Sequence, residues 1–117
     1  MQSSLLKLEH LHKTSEQPFS LIESWVPADR FRRLPDIYAA TGHLDRAFEQ
    51  LGVKGYRRHK AVVSCRTGDP REIKLLELQP GAILIVLKLV YIEDSGEPVC
   101  YSIFRYAADR IEFVFYV

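Results

Sequence analysis

Four histidines, two cysteines and a scatter of single arginines and glutamates are the groups in this 117-residue sequence that could carry chemistry. His10-Leu11-His12 is a two-residue metal pair on a strand-like segment, and His43 or Glu23 could complete a coordination shell. No second closely spaced ligand pair accompanies it, so a solvated or ligand-facing histidine pair is the reading, with no metal. Ser64, His59 and Asp69 include the residue types of a hydrolytic triad. Yet no nucleophile elbow surrounds the serine, and adjacent strand residues face opposite ways. Cys65 and Cys100 lie in strand-like segments without a second pair at metal spacing, which reads as buried, reduced thiols and calls for no cofactor.

Something must position these groups, and composition bounds it. Hydrophobic residues make up 47% and charged residues 26%, with 16 Lys+Arg against 15 Asp+Glu. That describes one soluble globular domain over 1–117. Without a Lys/Arg run, a net charge of +1 argues against a free-standing nucleic-acid binder, so any DNA contact must come from elsewhere. The longest apolar run, Ala82 to Val90, is broken by Lys88 and is too short to cross a bilayer; the start MQSSLLKLEHLHK has no signal-peptide pattern. A cytosolic protein without membrane contact is expected.

The hydrophobic period switches between 2 and 3.6 along the chain, the mark of an α+β domain. The expected strands are Leu5 to Lys13, Pro18 to Val26, Gly55 to Arg66, Ala82 to Glu93, Glu97 to Ala107 and Arg110 to Val117. Short connections make the sheet mostly antiparallel, with helices packed on it. The stretch ADRFRRLPDIYAA reads as loop up to Pro35. Thr41 then caps a helix with Leu44, Phe48 and Leu51 on one face, closed by Gly52. Asp69-Pro70-Arg71-Glu72 offers an N-cap, a proline at N1 and a capping-box Glu for a second helix carrying Ile73, Leu75, Leu76 and Leu78, ended by Pro80-Gly81. On the Gly55 to Arg66 strand, Ala61, Val63 and Cys65 read as the core-facing set. RIEFVFYV reads as a final core and interface strand.

A shift of 80 residues lays EQPFSLIESWVPADRF (Glu16 to Phe31) over GEPVCYSIFRYAADRI (Gly96 to Ile111) without a gap. Pro18 matches Pro98, and Ala28-Asp29-Arg30 matches Ala108-Asp109-Arg110. Each copy ends in the same Ala-Asp-Arg corner, so the chain holds an internal hairpin repeat with a pseudo-two-fold arrangement. The second copy is preceded by a strand and a capped helix, whereas the position equivalent to Gly81 in the first copy is Met1. The reading is therefore of an N-terminally incomplete domain with one sheet edge open or paired to another chain.

Taken together, QPFSLIESWVPADRF, GHLDRAFEQLGV, RRHKAVVSCR, DPREIKLLELQPGAILIVLKLVY and GEPVCYSIFRYAADRIEF resemble the UTRA ligand-sensing domain that follows the winged helix-turn-helix of HutC-type GntR transcription regulators. Within that family LIES, RRHKAVVSCR and ADRIEF look most like PhnF-type regulators of phosphonate metabolism. The resemblance implies a chorismate-lyase-like α+β fold and a small-molecule effector held between half-domains. It also implies a homodimer, and DNA binding only through an N-terminal domain that these residues do not include.

The resemblance further implies an anion site where the first strand meets the first helix. Thr41, Gly42 and His43 open that helix, and their free backbone N–H groups and the helix dipole suit a phosphate or carboxylate. The family's two basic residues at spacing two fall on His10 and His12, which makes anion binding weaker and pH-dependent than arginine would. The opposite wall falls to Arg58, Ser64 and Arg66 on one strand and Tyr101 and Arg105 on another, with solvent equally open to Arg66. Arg105 could instead pair with Glu23 or Glu112 across strands. Glu23 lies one position after the family's acidic contact. Three readings follow: an effector-binding and dimerisation domain without catalysis; a lyase-like enzyme of the same fold using Arg66 and Arg105 as clamps and Glu23 as the acid; or a truncated dimerisation module without ligand.

Overall fold

The computed structural model describes residues 4–15 and 17–117. Its elements run β1 (Leu5–Thr14), β2 (Gln17–Pro27), α1 (Leu34–Thr41), α2 (Leu44–Gln50), β3 (Arg57–Thr67), α3 (Pro70–Leu75), β4 (Ile83–Ile92) and β5 (Pro98–Ala107), followed by a 3-10 turn at Ala108–Arg110. The strands form one antiparallel sheet in the order β1-β2-β5-β4-β3, an α+β fold as expected. Among the described residues five strands replace the expected six, and three α-helices the expected two.

The repeat is built into this order. The shift of 80 carries β1 onto β4 and β2 onto β5, and the order places the two β2-type strands side by side with the two β1-type strands outside them. The shared corner arginine has a matching task in each copy. Arg30 donates to Glu93 at 2.7 Å and lies 3.8 Å from Glu97, the two residues flanking the β4–β5 turn. Arg110 donates at 3.1 Å to the carbonyl of Pro18, at the start of β2, and at 3.1 Å to that of Leu76. Each corner thus ties down the hairpin of the other copy.

Contacts divide the chain into two compact units. The first comprises residues 4–8, Ser24–Ala61 and Leu89–Ser102, around Val26, Phe31, Leu34, Ala47, Phe48, Val99 and Cys100. Helix α1 lies where a loop was expected. Pro35 occupies its first turn, where a missing N–H costs nothing, and Gly42 ends it at φ +73°, donating to Tyr38 O at 2.7 Å. Thr41 therefore closes α1 rather than capping the next helix, whose N-cap is His43. An aromatic run of Phe31, Phe48, Tyr56 and Tyr91, with ring centroids 4.7–5.2 Å apart, fills the core. Burial pushes the Tyr56 phenol up and the Cys100 thiol up to about 11, so Cys100 stays a thiol, as expected.

The second unit comprises Glu9–Glu23, Val62–Lys88 and Ile103–Val117, around Leu21, Leu76 and Leu84, with Leu11, Leu75 and Leu78 against them. The capping box of α3 forms as expected. Asp69 Oδ1 accepts from Glu72 N at 2.8 Å and Glu72 Oε1 accepts from Asp69 N at 2.9 Å. The helix ends at Leu75, short of Pro80, because Glu77 turns left-handed at φ +54°. Strand β3, at the sheet edge, is exposed at every residue. Ala61, Val63 and Cys65 are consequently not core, and Cys65 is an exposed thiol. Residues 111–117 form no strand, and Val114 to Val117 are exposed. Strand β5 already has β2 on one side and β4 on the other, so a hairpin onto it has no free edge.

Candidate functional site

Unit 2 joins four alternating charges, of which Glu72 and Arg105 are buried, Glu23 is half-buried and Arg66 is exposed. Glu72, 1% exposed, projects from α3 and accepts both nitrogens of Arg66 at 2.7 Å, one per oxygen. Its Oε2 also accepts from Arg105 Nη1 at 2.8 Å. Arg105, on β5 and 7% exposed, donates from Nη2 to Glu23 on β2. The Arg105 Nε is buried and has no hydrogen-bond partner among the described residues. Nearby, Arg71 at the start of α3 is paired with Glu9 on β1.

Electrostatics follow from this geometry. The Arg66 hydrogen bonds first, with those of Arg105 and the Asp69 N–H, hold the Glu72 carboxyl at about 2 against the opposing pull of burial. Burial alone would lower Arg105, but the Glu72 and Glu23 contacts outweigh it and leave it raised. Two carboxylates match two guanidiniums, so the chain is charge-balanced, and breaking it would strand a buried ion.

Of the ten residues expected at a binding site, this network joins Glu23, Arg66 and Arg105. Arg105 takes Glu23, not Glu112, as its partner. His10 and His12 share a face of β1 with ring centroids 6.3 Å apart, and His12 edges onto Phe19 at 5.9 Å. Ser64 is exposed on β3. The other four lie in unit 1. Tyr101 packs its ring 5.7 Å from Trp25. Arg58, exposed on β3, bonds Tyr91 and tempers the rise that burial gives that phenol.

Two of the three N–H groups expected to cradle an anion at Thr41, Gly42 and His43 have partners within the chain. The Gly42 N–H is taken by Tyr38 O, and the His43 N–H by Thr41 Oγ1 at 3.3 Å. The seven-residue α2 adds no side-chain cap. Glu72 is the residue missed as a member of the site: the capping box was legible, but one carboxylate oxygen serves the cap while the carboxylate as a whole grips two arginines distant in sequence.

Comparison with known proteins accords with this architecture. The UTRA domain family model matches residues 1–112. An uncharacterized HTH-type transcriptional regulator of Rhizobium meliloti (strain 1021) is 35% identical over 108 residues, 92% of this chain and 44% of that protein. This chain thus spans less than half the length of that relative. Among solved structures, PhnF from Mycobacterium smegmatis superposes with a TM-score of 0.86 at 21% identity, covering 94% of this chain and 48% of that one. A GntR-family transcriptional regulator from Enterococcus faecalis V583 gives 0.85 at 17% identity, covering 99% and 83%. At such identities the superpositions establish the fold. The family match over nearly the whole chain, together with the Rhizobium relative, shows that this protein belongs to the UTRA domain family.

Proposed function

We propose that this domain is the effector-sensing part of a GntR-type transcription regulator, and that its effector is a small molecule bearing a carboxylate, phosphate or phosphonate that takes the Nε/Nη2 edge of Arg105. One observation carries the proposal. Glu23 engages only Nη2 of that edge and leaves the buried Nε without a described partner, whereas a guanidinium edge is built to be matched by two oxygens at once. The entering anion would displace Glu23, which is the more exposed of the two carboxylates on Arg105, at 13% against 1% for Glu72. Occupancy would then be read out as release of β2 from β5 at that point. Regulation of phosphonate metabolism is one form of this reading, motivated by the LIES, RRHKAVVSCR and ADRIEF motifs that look like those of PhnF-type regulators.

DNA contact belongs to a separate domain on this reading, in keeping with the balanced charge. Binding without catalysis is favoured because Arg66, Arg105 and Glu23, the groups a lyase would use, are held in ion pairs. A homodimer is part of the proposal, checked by sedimentation of the purified chain. The main test is a thermal-shift series with methylphosphonate, phosphate and acetate. One class should raise Tm, since stabilisation follows occupancy of the folded state. The rise should vanish in Arg105→Lys, which lacks the two-donor edge, and increase in Glu23→Gln, which removes the competitor. Weaker binding in Glu23→Gln would overturn the displacement model.

A further inference from the structure

The charge chain of unit 2 has a neighbour that the effector site does not yet use. Arg71 and Glu72 are successive residues of α3: Glu72 turns to Arg66 and Arg105, and Arg71 turns toward β1, where its Nη2 meets Glu9 Oε1. In the β1–β2 hairpin the Ala28 N–H donates to Ser4 O at 2.9 Å. Counting along the two strands from that bond sets Glu9 opposite Glu23, as it sets Leu11 opposite Leu21, against whose core Leu11 packs. Like charges directly opposed on neighbouring strands repel. Here each carboxylate has its own cation, Arg71 for Glu9 and Arg105 for Glu23. The two pairs also feel each other: Glu9 first, and then Glu23, raise the Arg71 guanidinium above its ordinary value.

Displacing Glu23 from Arg105 undoes that balance, because it leaves two opposed carboxylates with one cation between them. We infer, on the effector reading given above, that Arg71 receives the Glu23 carboxylate when an anion takes its place on Arg105, and is thus a positioning residue that sets how readily the site opens. The chemistry is one the same unit already displays. Arg105 serves two carboxylates at once, Glu72 through Nη1 and Glu23 through Nη2. The contact of Arg71 with Glu9 uses Nη2, and a guanidinium has five N–H donors, enough for a second carboxylate. Arg71 is exposed at the start of α3, so its side chain has room to turn toward β2. Glu9 acts against the transfer, since it competes for Arg71 and repels the arriving Glu23.

Isothermal titration with whichever of methylphosphonate, phosphate and acetate raises Tm tests the transfer. Arg71→Gln should weaken binding several-fold and Glu9→Gln should strengthen it, the range that pairing of partly exposed charges allows. Both effects should vanish when Glu23→Gln is also present, because a neutral residue 23 needs no cation to receive it. An Arg71→Gln effect of equal size with and without Glu23→Gln would mean that Arg71 acts on the anion itself or through the fold, and would overturn the inference while leaving the effector reading intact. Should Arg71→Gln not fold, Glu9→Gln decides alone: a mere tie between β1 and α3 predicts unchanged or weaker binding, and that result overturns the transfer. A chain that binds none of the three anions, or binds them more weakly as Glu23→Gln, overturns the effector reading and the inference together.

Discussion

The two units hold their helices by different means. In unit 1, α1 and α2 are fastened by apolar burial: Leu34, Ala47 and Phe48 are each at most 1% exposed, and among the described residues no charged side chain of that unit is buried. In unit 2 the short α3 has a smaller apolar core of three buried leucines and is fastened by Glu72 to two arginines. Apolar packing tolerates the loss of one member at a cost graded by the cavity left behind. A buried ion chain does not, since each member leaves an uncompensated charge when its partner is removed. The unit whose helix is held by charge is also the one whose locking arginine has a buried donor without a described partner, and the proposed effector would act there.

The sharpest way to break the comparison is Glu72→Ala. It removes the carboxylate shared by Arg66, Arg105 and the Asp69 N–H, and loss of one partner from a buried pair costs about 3–5 kcal/mol, as urea denaturation would show. Phe48→Ala in unit 1 should cost a similar ~3–5 kcal/mol through the cavity it leaves. The two variants differ in their acid response. The Glu72 carboxyl titrates at about 2 in the folded chain against 4.5 ordinarily, so its contribution is complete above about 4.5 and is lost as the pH falls toward 2. Phe48→Ala should keep that acid limb, and Glu72→Ala should flatten it. An equal acid slope in both would show that Glu72 does not lock the unit.

Much of this arrangement was legible beforehand, and what was not has physical causes. Strands β1, β2, β4 and β5 follow from alternation and turns, and the repeat fixed which of them are equivalent. Asp69-Pro70-Arg71-Glu72 is a local signal, and α3 begins where it says. The same proline logic applied to Leu34-Pro35 would have revealed α1, but the arginines before Pro35 masked the start, because neither supplies a capping side chain. The inward face assigned to β3 failed because alternation tells which residues share a face, not whether anything covers it. The final strand failed for lack of a free neighbour. At the site, Arg105 and Glu23 were readable as a cross-strand pair, whereas Glu72 joins them from a helix across a sequence separation of 33 residues, which no local pattern encodes.

A smaller effect sharpens the account of α3. Asp69→Ala removes the N-cap acceptor and with it one side of the capping box, at a cost of about 1 kcal/mol. The Glu72 carboxylate keeps its arginines, so the acid limb should persist with a lower plateau. Loss of the limb as well would mean that the cap, and not the arginines, positions the carboxylate.

The smallest expected effect compares the two units at one repeated position. Arg30 and Arg110 occupy equivalent corners, yet Arg30 reaches carboxylates near the surface while Arg110 donates to the main-chain carbonyls of Pro18 and Leu76. Exposed ion pairs are weak and fade with salt, whereas hydrogen bonds to neutral carbonyls do not depend on Coulomb attraction between net charges. Arg30→Ala should therefore lower Tm slightly at low ionic strength and not measurably in about 1 M salt, where the screening length falls to about 3 Å. Arg110→Ala should lower it by the same amount in both. Parallel salt responses would mean that the corners act through charge in both copies, and the distinction between a surface-paired unit and a unit tied through its backbone would fail at the position where the repeat makes it easiest to see.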